Sequence, residues 1–151
     1  MNSKDKSSNS SEKKIFKFLA NIFSLRILKI YLRKRIKEII LYDYLVYGDE
    51  ARLHIAKTAV VNNALFNLSS GNVVIEDWVF FGHHVSVLTG THDYQKFGRE
   101  RQMATEATGR DVVIEEGAWI ASNVTIIGSC TIGKHSVVAS CSLVNYDIPP
   151  Y

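Results

Sequence analysis

From His54 onward, an aliphatic or aromatic residue returns every sixth position. The longest series is Ile114, Ile120, Ile126, Ile132, Val138 and Val144; shorter ones are Ile75, Phe81, Val87 and Ile55, Val61. Four residues after most of these leads stands a small or β-branched residue: Ala59, Val79, Val85, Thr91, Ala118, Val124, Cys130, Ser136 and Ser142. Gly or Ala often follows the lead directly, as at Gly82, Ala121 and Gly133. Neither a helix nor an alternating strand has this period. One such unit cannot bury its own apolar face, so only stacked units make a core. Six residues suit a short strand plus a corner, and three units complete one triangular coil. The leads then stack as ladders, with Ile114 beneath Ile132, Ile120 beneath Val138 and Ile126 beneath Val144. Each buried rung contributes about 1.5–3 kcal/mol. Asn72, Asp77, His84, Asn123 and His135 are expected at corners, where polar residues suit turns; His54 is also read as a solvated corner.

The frame breaks twice. Val61 to Ile75 is 14 residues, two more than two repeats, and Val87 to Ile114 is 27, three more than four. The second break holds Thr89-Gly90-Thr91-His92-Asp93-Tyr94 and a polar stretch to Asp111. Long loops leaving a regular scaffold are usually functional.

The chain ahead of the repeats differs in kind. Residues 1–11 are polar and Ser-rich with nothing to bury, and are expected to be disordered. Residues 12–50 form a basic segment. Within it Ile15, Phe18, Leu19, Ile22, Leu25, Ile36, Ile39 and Ile40 recur at three- and four-residue steps among Lys and Arg. One or two amphipathic helices are expected there. Two roles fit: a helix at residues 12–47 lying on anionic lipid, or a cap on the end of the solenoid that shows its charges to water. No run approaches the roughly 20 apolar residues of a membrane span. Residues 1–40 carry a net charge of +8 and residues 41–151 a net of −5, within 151 residues totalling +3. The acidic body gives no reason to expect a nucleic-acid partner. Two cysteines make no disulfide framework and suit a reducing, cytoplasmic setting, with the inner face of the membrane as the variant that a lipid-bound arm would imply.

The repeat region, residues 51–151, resembles the hexapeptide-repeat acyltransferases, which fold as left-handed parallel β-helices. The left-handed sense is an implication of the resemblance; the general crossover rule would give the right-handed one. The expected fold class is therefore mainly β, a left-handed parallel β-helix with an N-terminal helical arm. The stretch TGTHD…GRDVVIEEGAWIASNVTI…IGKHSVVA…DIPPY is similar to the sugar and xenobiotic O-acetyltransferase branch, with its galactoside and maltose acetyltransferases.

The resemblance implies acetyl transfer from acetyl coenzyme A to a sugar or glycan hydroxyl, by direct attack, in a homotrimer whose long loop reaches a neighbouring subunit. His92 matches the histidine that acts as general base, the natural choice for taking a hydroxyl proton near neutral pH. Asn67 matches an asparagine facing the acceptor, and equally suits a turn. Asp93 is adjacent and a candidate for substrate contact; neighbours on extended backbone point apart, so no orienting role toward His92 is assumed. Trp119 matches a residue lining the pantetheine groove, Ser122 a backbone N–H facing the thioester oxygen, and Ser140 and Asn145 contacts to the same arm. Two departures bear on that groove: Cys141 replaces a usual glycine and Tyr146 a usual lysine. The chain stops at Asp147-Ile148-Pro149-Pro150-Tyr151, where relatives continue through a Gly-x-Pro-Ala-Lys turn, so its C-terminal end is expected to be truncated relative to theirs. His83 and His84 lie eight or nine residues from His92, which does not match the His-x₄-His zinc pair of the solenoid carbonic anhydrases; no metal is expected. An inactive trimeric scaffold and N-acetylation of an amino sugar are the alternative functions.

Overall fold

The computed structural model describes residues 4–151, with side chains described at 14, 16–18 and from 20 onward. Ile15 and Leu19 of the amphipathic series, and residues 1–3 of the polar tail, lie outside that description. Two compact units divide the chain, Met1–Ile39 and Ile40–Tyr151.

Helix α1 spans Lys4–Tyr42. It takes in the polar stretch expected to be disordered, from Lys4 on. The physical reason is continuity: the first glycine is Gly48 and no proline precedes Pro149, so nothing breaks the helix once nucleated. Its described apolar side chains are exposed apart from the half-buried Leu41, among them Phe16, Phe18, Phe23, Leu25 and Ile30. No helix among the described residues is long and apolar enough to cross a membrane.

The β-helix begins earlier than the sequence analysis placed it. Strand β1 is Leu45–Tyr47, followed by a 3-10 turn at Glu50–Arg52 and by β2 Leu53–Ile55, β3 Leu65–Asn67, β4 Val73–Ile75, β5 Phe80–Phe81 and β6 Ser86–Leu88. After the long loop, which contains helix α2 (Gly98–Met103), come β7 Val112–Ile114, β8 Trp119–Ile120, β9 Thr125–Ile127, β10 Cys130–Ile132, β11 Val137–Val138 and β12 Leu143–Val144. They form three parallel sheets, ordered β1-β3-β6-β9-β12, β2-β4-β7-β10 and β5-β8-β11, called A, B and C below. The chain runs C to A to B in each coil.

The expected ladders are present in register: Ile114 with Ile132, Ile120 with Val138, Ile126 with Val144. All six side chains are buried. The corners carry left-handed backbone at Trp78, His84, Asn123, His135 and Cys141, each three residues after a lead, with φ between 55° and 63°. Asparagine and histidine tolerate this region; tryptophan and cysteine there are strained. His54 is not at a corner. It is the middle residue of β2 and points outward from sheet B, because Leu53 and Ile55 on either side take the inward positions.

Both frame breaks resolve differently from the repeat count. Phe66 is an unrecognised rung of sheet A, paired with Val87 and fully buried. Val61 to Ile75 is thus a step of five and a step of nine. Val87 and Ile114 are successive rungs on sheets A and B, so the whole 27-residue interval is one enlarged corner. All the extra length falls between sheet A and sheet B. Within the second unit, Asn63 donates to Ile40 O at 2.7 Å, satisfying a carbonyl of the last helical turn.

Candidate active site

The loop leaving sheet A at Thr89 is held at its base by buried hydrogen bonds. Thr89 is fully buried; its Oγ1 donates to Asn67 O at 2.8 Å and accepts from Ser70 N at 3.1 Å. Arg110, at the returning end, donates from Nε to Thr89 O at 2.8 Å, tying the two ends together. Arg52 Nη1 reaches both Leu68 O and Ala107 O, at 3.2 and 3.3 Å. A loop that long pays conformational entropy on ordering, and these ties offset part of it.

Within the loop the backbone folds back on itself. His92 bridges Thr105 antiparallel, and Asp93 N donates to Ala104 O at 3.1 Å. This places the exposed His92 ring beside α2, where its Nδ1 lies 3.1 Å from Arg101 O. A carbonyl oxygen only accepts, so Nδ1 is the donor, and in the neutral ring Nε2 then holds the lone pair. That is the tautomer a general base needs. Asp93 takes no part in it: its carboxylate accepts from Gln95 N at 3.0 Å, capping a turn.

Asn67 stands at the end of β3. Its Oδ1 accepts from Ser69 N at 3.0 Å, the turn role that sequence reading left open beside acceptor binding. A Cβ at Gly90 would lie 2.6 Å from that Oδ1, so a side chain there would push the Asn67 amide aside.

The donor candidates separate into two groups. Trp119 is in sheet C, 44% exposed and stacked on Phe80 at 5.6 Å between ring centroids. Ser122 and Ser140 follow on the corner from sheet C to sheet A. Ser122 Oγ accepts from His83 N at 3.1 Å, and Ser122 O accepts from Cys141 N. The Ser122 N–H has no hydrogen-bond partner among the described residues, while its neighbours Ala121 and Asn123 donate to Val138 O and His83 O. An exposed-edge donor of this kind suits an oxyanion. Asn145 lies elsewhere: it follows β12 on the corner from sheet A to sheet B, the same edge as Asn67 and the His92 loop. Within one chain, then, Trp119 lies on sheet C beside the C-to-A edge that carries Ser122 and Ser140, while Asn67, His92 and Asn145 follow strands at the A-to-B edge.

The remaining histidines are held by corner contacts. Asn63 lies between His83 and His84, with Oδ1 3.2 Å from His83 Nδ1 and Nδ2 3.1 Å from His84 Nδ1. His135 lies beside the Tyr151 ring. Among the described residues no three His, Cys, Asp or Glu side chains are placed to hold a metal ion. Both cysteines are free, Cys130 buried and Cys141 exposed. Sequence reasoning missed Thr89, Arg101 and Arg110, which act on backbone carbonyls and leave no spacing to read.

Residues 111–145 match the family model for the bacterial transferase hexapeptide (six repeats). Those residues carry the hexapeptide repeats of that family model. The left-handed β-helix of that family is the fold described above. Galactoside O-acetyltransferase of Lactococcus lactis subsp. lactis is 34% identical over 89 residues, covering 57% of this chain and 42% of that protein. Galactoside O-acetyltransferase of Escherichia coli is 30% identical over 107 residues, covering 71% and 50%. The chain spans about half the length of the curated relatives it matches. A crystal structure of a hexapeptide-repeat-containing acetyltransferase complexed with acetyl coenzyme A, from Vibrio cholerae O1 biovar eltor, is 27% identical with a TM-score of 0.48, covering 80% of this chain and 69% of that one.

Proposed function

We propose that the hexapeptide domain is an acetyl-coenzyme-A-dependent O-acetyltransferase, with His92 as the base and a sugar or surface-glycan hydroxyl as the acceptor. The observation that carries this reading is the Nδ1–Arg101 O hydrogen bond, which leaves Nε2 as an exposed proton acceptor. In this reading Nε2 takes the hydroxyl proton as the hydroxyl oxygen bonds to the thioester carbonyl carbon. The Ser122 N–H stabilises the developing oxyanion. The carbon–sulfur bond then breaks, and the imidazolium returns its proton to the departing thiolate. Trp119 and Ser140 hold the pantetheine arm. Two galactoside O-acetyltransferases among the relatives support a sugar acceptor.

The two edges of the prism support a trimer. His92 and Ser122 lie at opposite ends of sheet A in one chain, so a shared site brings one copy's loop to another copy's donor edge. Val60, Phe80, Trp119 and Val137 form an exposed apolar row on sheet C, suited to burial against such a copy. Sedimentation showing a fully active monomer would remove this part. The arm, with its +8 charge and exposed Phe16, Phe18 and Phe23, suits an anionic lipid surface. Equal partitioning of the full chain and a chain lacking residues 1–39 onto anionic vesicles would count against it.

The central test is His92→Ala, assayed with acetyl coenzyme A and a panel of sugar and amino-sugar acceptors. Turnover is expected to fall about 10²–10⁴-fold with donor affinity unchanged. Retained turnover removes His92 from the mechanism. A wild-type chain that turns over none of the panel favours the scaffold reading, and one acting only on amines favours N-acetylation.

A further inference from the structure

The His92 ring is held by a backbone carbonyl, and that carbonyl belongs to Arg101, whose side chain is itself tied into the loop. The guanidinium donates from Nε to Lys96 O and from Nη2 to Tyr94 O, the latter at 2.9 Å. Its Cζ lies 5.1 Å from the centroid of the Phe97 ring. The same residue's carbonyl oxygen receives two donors, His92 Nδ1 at 3.1 Å and Ala104 N at 3.3 Å. One residue therefore grips the turn that leads from His92 into α2 with its side chain, and presents the acceptor that orients His92 with its backbone.

A six-residue helix has little stability of its own. Phe97, at the N-cap position of α2, makes no side-chain capping bond, and α2 buries no residue. Backbone contacts already tie the two ends of this segment, with Asp93 N donating to Ala104 O and His92 bridging Thr105. Between them the fork of Arg101 fixes α2 to the Tyr94–Phe97 turn, helped at the surface by the exposed Lys96–Glu100 pair at 3.2 Å. Without the fork, the carbonyl of residue 101 loses the side-chain tie that sets it opposite Nδ1.

We infer that Arg101 is a positioning residue for His92: its guanidinium locks the Tyr94–Phe97 turn so that its own carbonyl holds His92 as the Nδ1–H tautomer with Nε2 free. This rests on His92 being the base. A planar fork satisfies two carbonyls at once, which a single ammonium on a flexible stem does less well. Lysine at 101 is therefore expected to restore part of the effect and alanine none.

Two measurements on the full chain test the inference. The first is the ¹⁵N spectrum of the His92 ring, which reads the tautomer whatever the activity. Wild type is expected to show protonated Nδ1; Arg101→Ala is expected to show a mixture with protonated Nε2, and Arg101→Lys an intermediate. The second is turnover. Arg101→Ala is expected to lower kcat about tenfold or more, with the affinity for coenzyme A unchanged. The double variant Arg101→Ala/His92→Ala is expected to be no slower than His92→Ala alone, because Arg101 acts only through the ring. A wild-type tautomer in Arg101→Ala overturns the inference, and so does a further loss in the double variant. If His92→Ala itself keeps full turnover, His92 is not the base, and the ring spectrum still decides whether Arg101 positions His92.

Discussion

The coils and the loop between Thr89 and Asp111 are made stable by opposite means. A coil is six-residue units whose side chains do the work: Ile75, Ile114 and Ile132 are paired in register one above another and all are buried. The loop buries almost nothing beyond Thr89. It is shaped by Arg52, Arg101 and Arg110, three guanidinium groups that each donate to backbone carbonyls. Side-chain stacking gives a rigid scaffold insensitive to any one polar group. Charged donors on carbonyls give a surface whose shape depends on a few residues. The scaffold can therefore lose stability without losing chemistry, and the loop the reverse.

The widest separation is expected between Ile120→Ala and His92→Ala. The first removes a fully buried rung and is expected to cost about 2–5 kcal/mol of stability, read by denaturant unfolding. The second is expected to leave the unfolding curve within about 0.5 kcal/mol of wild type while abolishing most turnover. Parallel losses of stability in both would break the division between coil and loop.

Gly82→Ala sharpens the same contrast from the coil side. A Cβ there would collide with Ser122 Oγ and the Ser122 backbone nitrogen, so the corner must shift. A destabilisation of about 1–3 kcal/mol is expected, together with weaker coenzyme A binding by calorimetry. A variant that is destabilised yet binds the donor normally would separate Ser122 from the donor edge.

The smallest effect is expected at the Glu116–Lys134 pair, 2.8 Å apart on the solvated corner of two coils. The Lys134 hydrogen bond and charge hold the Glu116 carboxyl below its ordinary value of 4.5, and Glu116 raises Lys134 in turn. A depressed carboxylate contributes stability above its unfolded pKa and loses it as pH falls through the folded one. Glu116→Gln should therefore show a slight loss near neutrality that disappears in acid and in high salt. An equally large loss in both would assign the effect to the corner's backbone bond, since Glu116 N also donates to Glu76 Oε2.

How much of this was legible follows from the same physics. Ile114 over Ile132 and Ile120 over Val138 were readable because an apolar ladder needs a fixed period, and a period survives in one dimension. Phe66 was not, because its steps of five and nine residues both depart from the period of six. His54 was misplaced at a corner because polar character alone does not distinguish a turn from the outward face of a strand. The loop that carries His92 was legible from its motif, but the partner of the His92 ring was not. The partner is Arg101 O, and any residue supplies a carbonyl. The division of Trp119, Ser122 and Ser140 from Asn145 follows from the unbroken period of residues 114–144, but placing Asn67 and His92 on the edge of Asn145 needed the register of Phe66, Val87 and Ile126, which the frame breaks concealed. Cys141 was noted as a departure. The structure adds the cost, a non-glycine side chain at φ 63° on the donor edge.

Every lengthened interval named above opens at the turn from sheet A to sheet B: nine residues from Phe66 to Ile75 and 27 from Val87 to Ile114, against six from Ile126 to Ile132. The other two edges keep near-constant steps. The prism thus has one edge where chain length is free and two where it is fixed. Material inserted there leaves the ladders in register on both sides, since Val87 still pairs with Ile126 and Ile75 with Ile114. Such an edge is a socket. Segments of different length and chemistry can be exchanged between Thr89 and Arg110, provided that the tie between those two residues is kept, without the core having to be designed again.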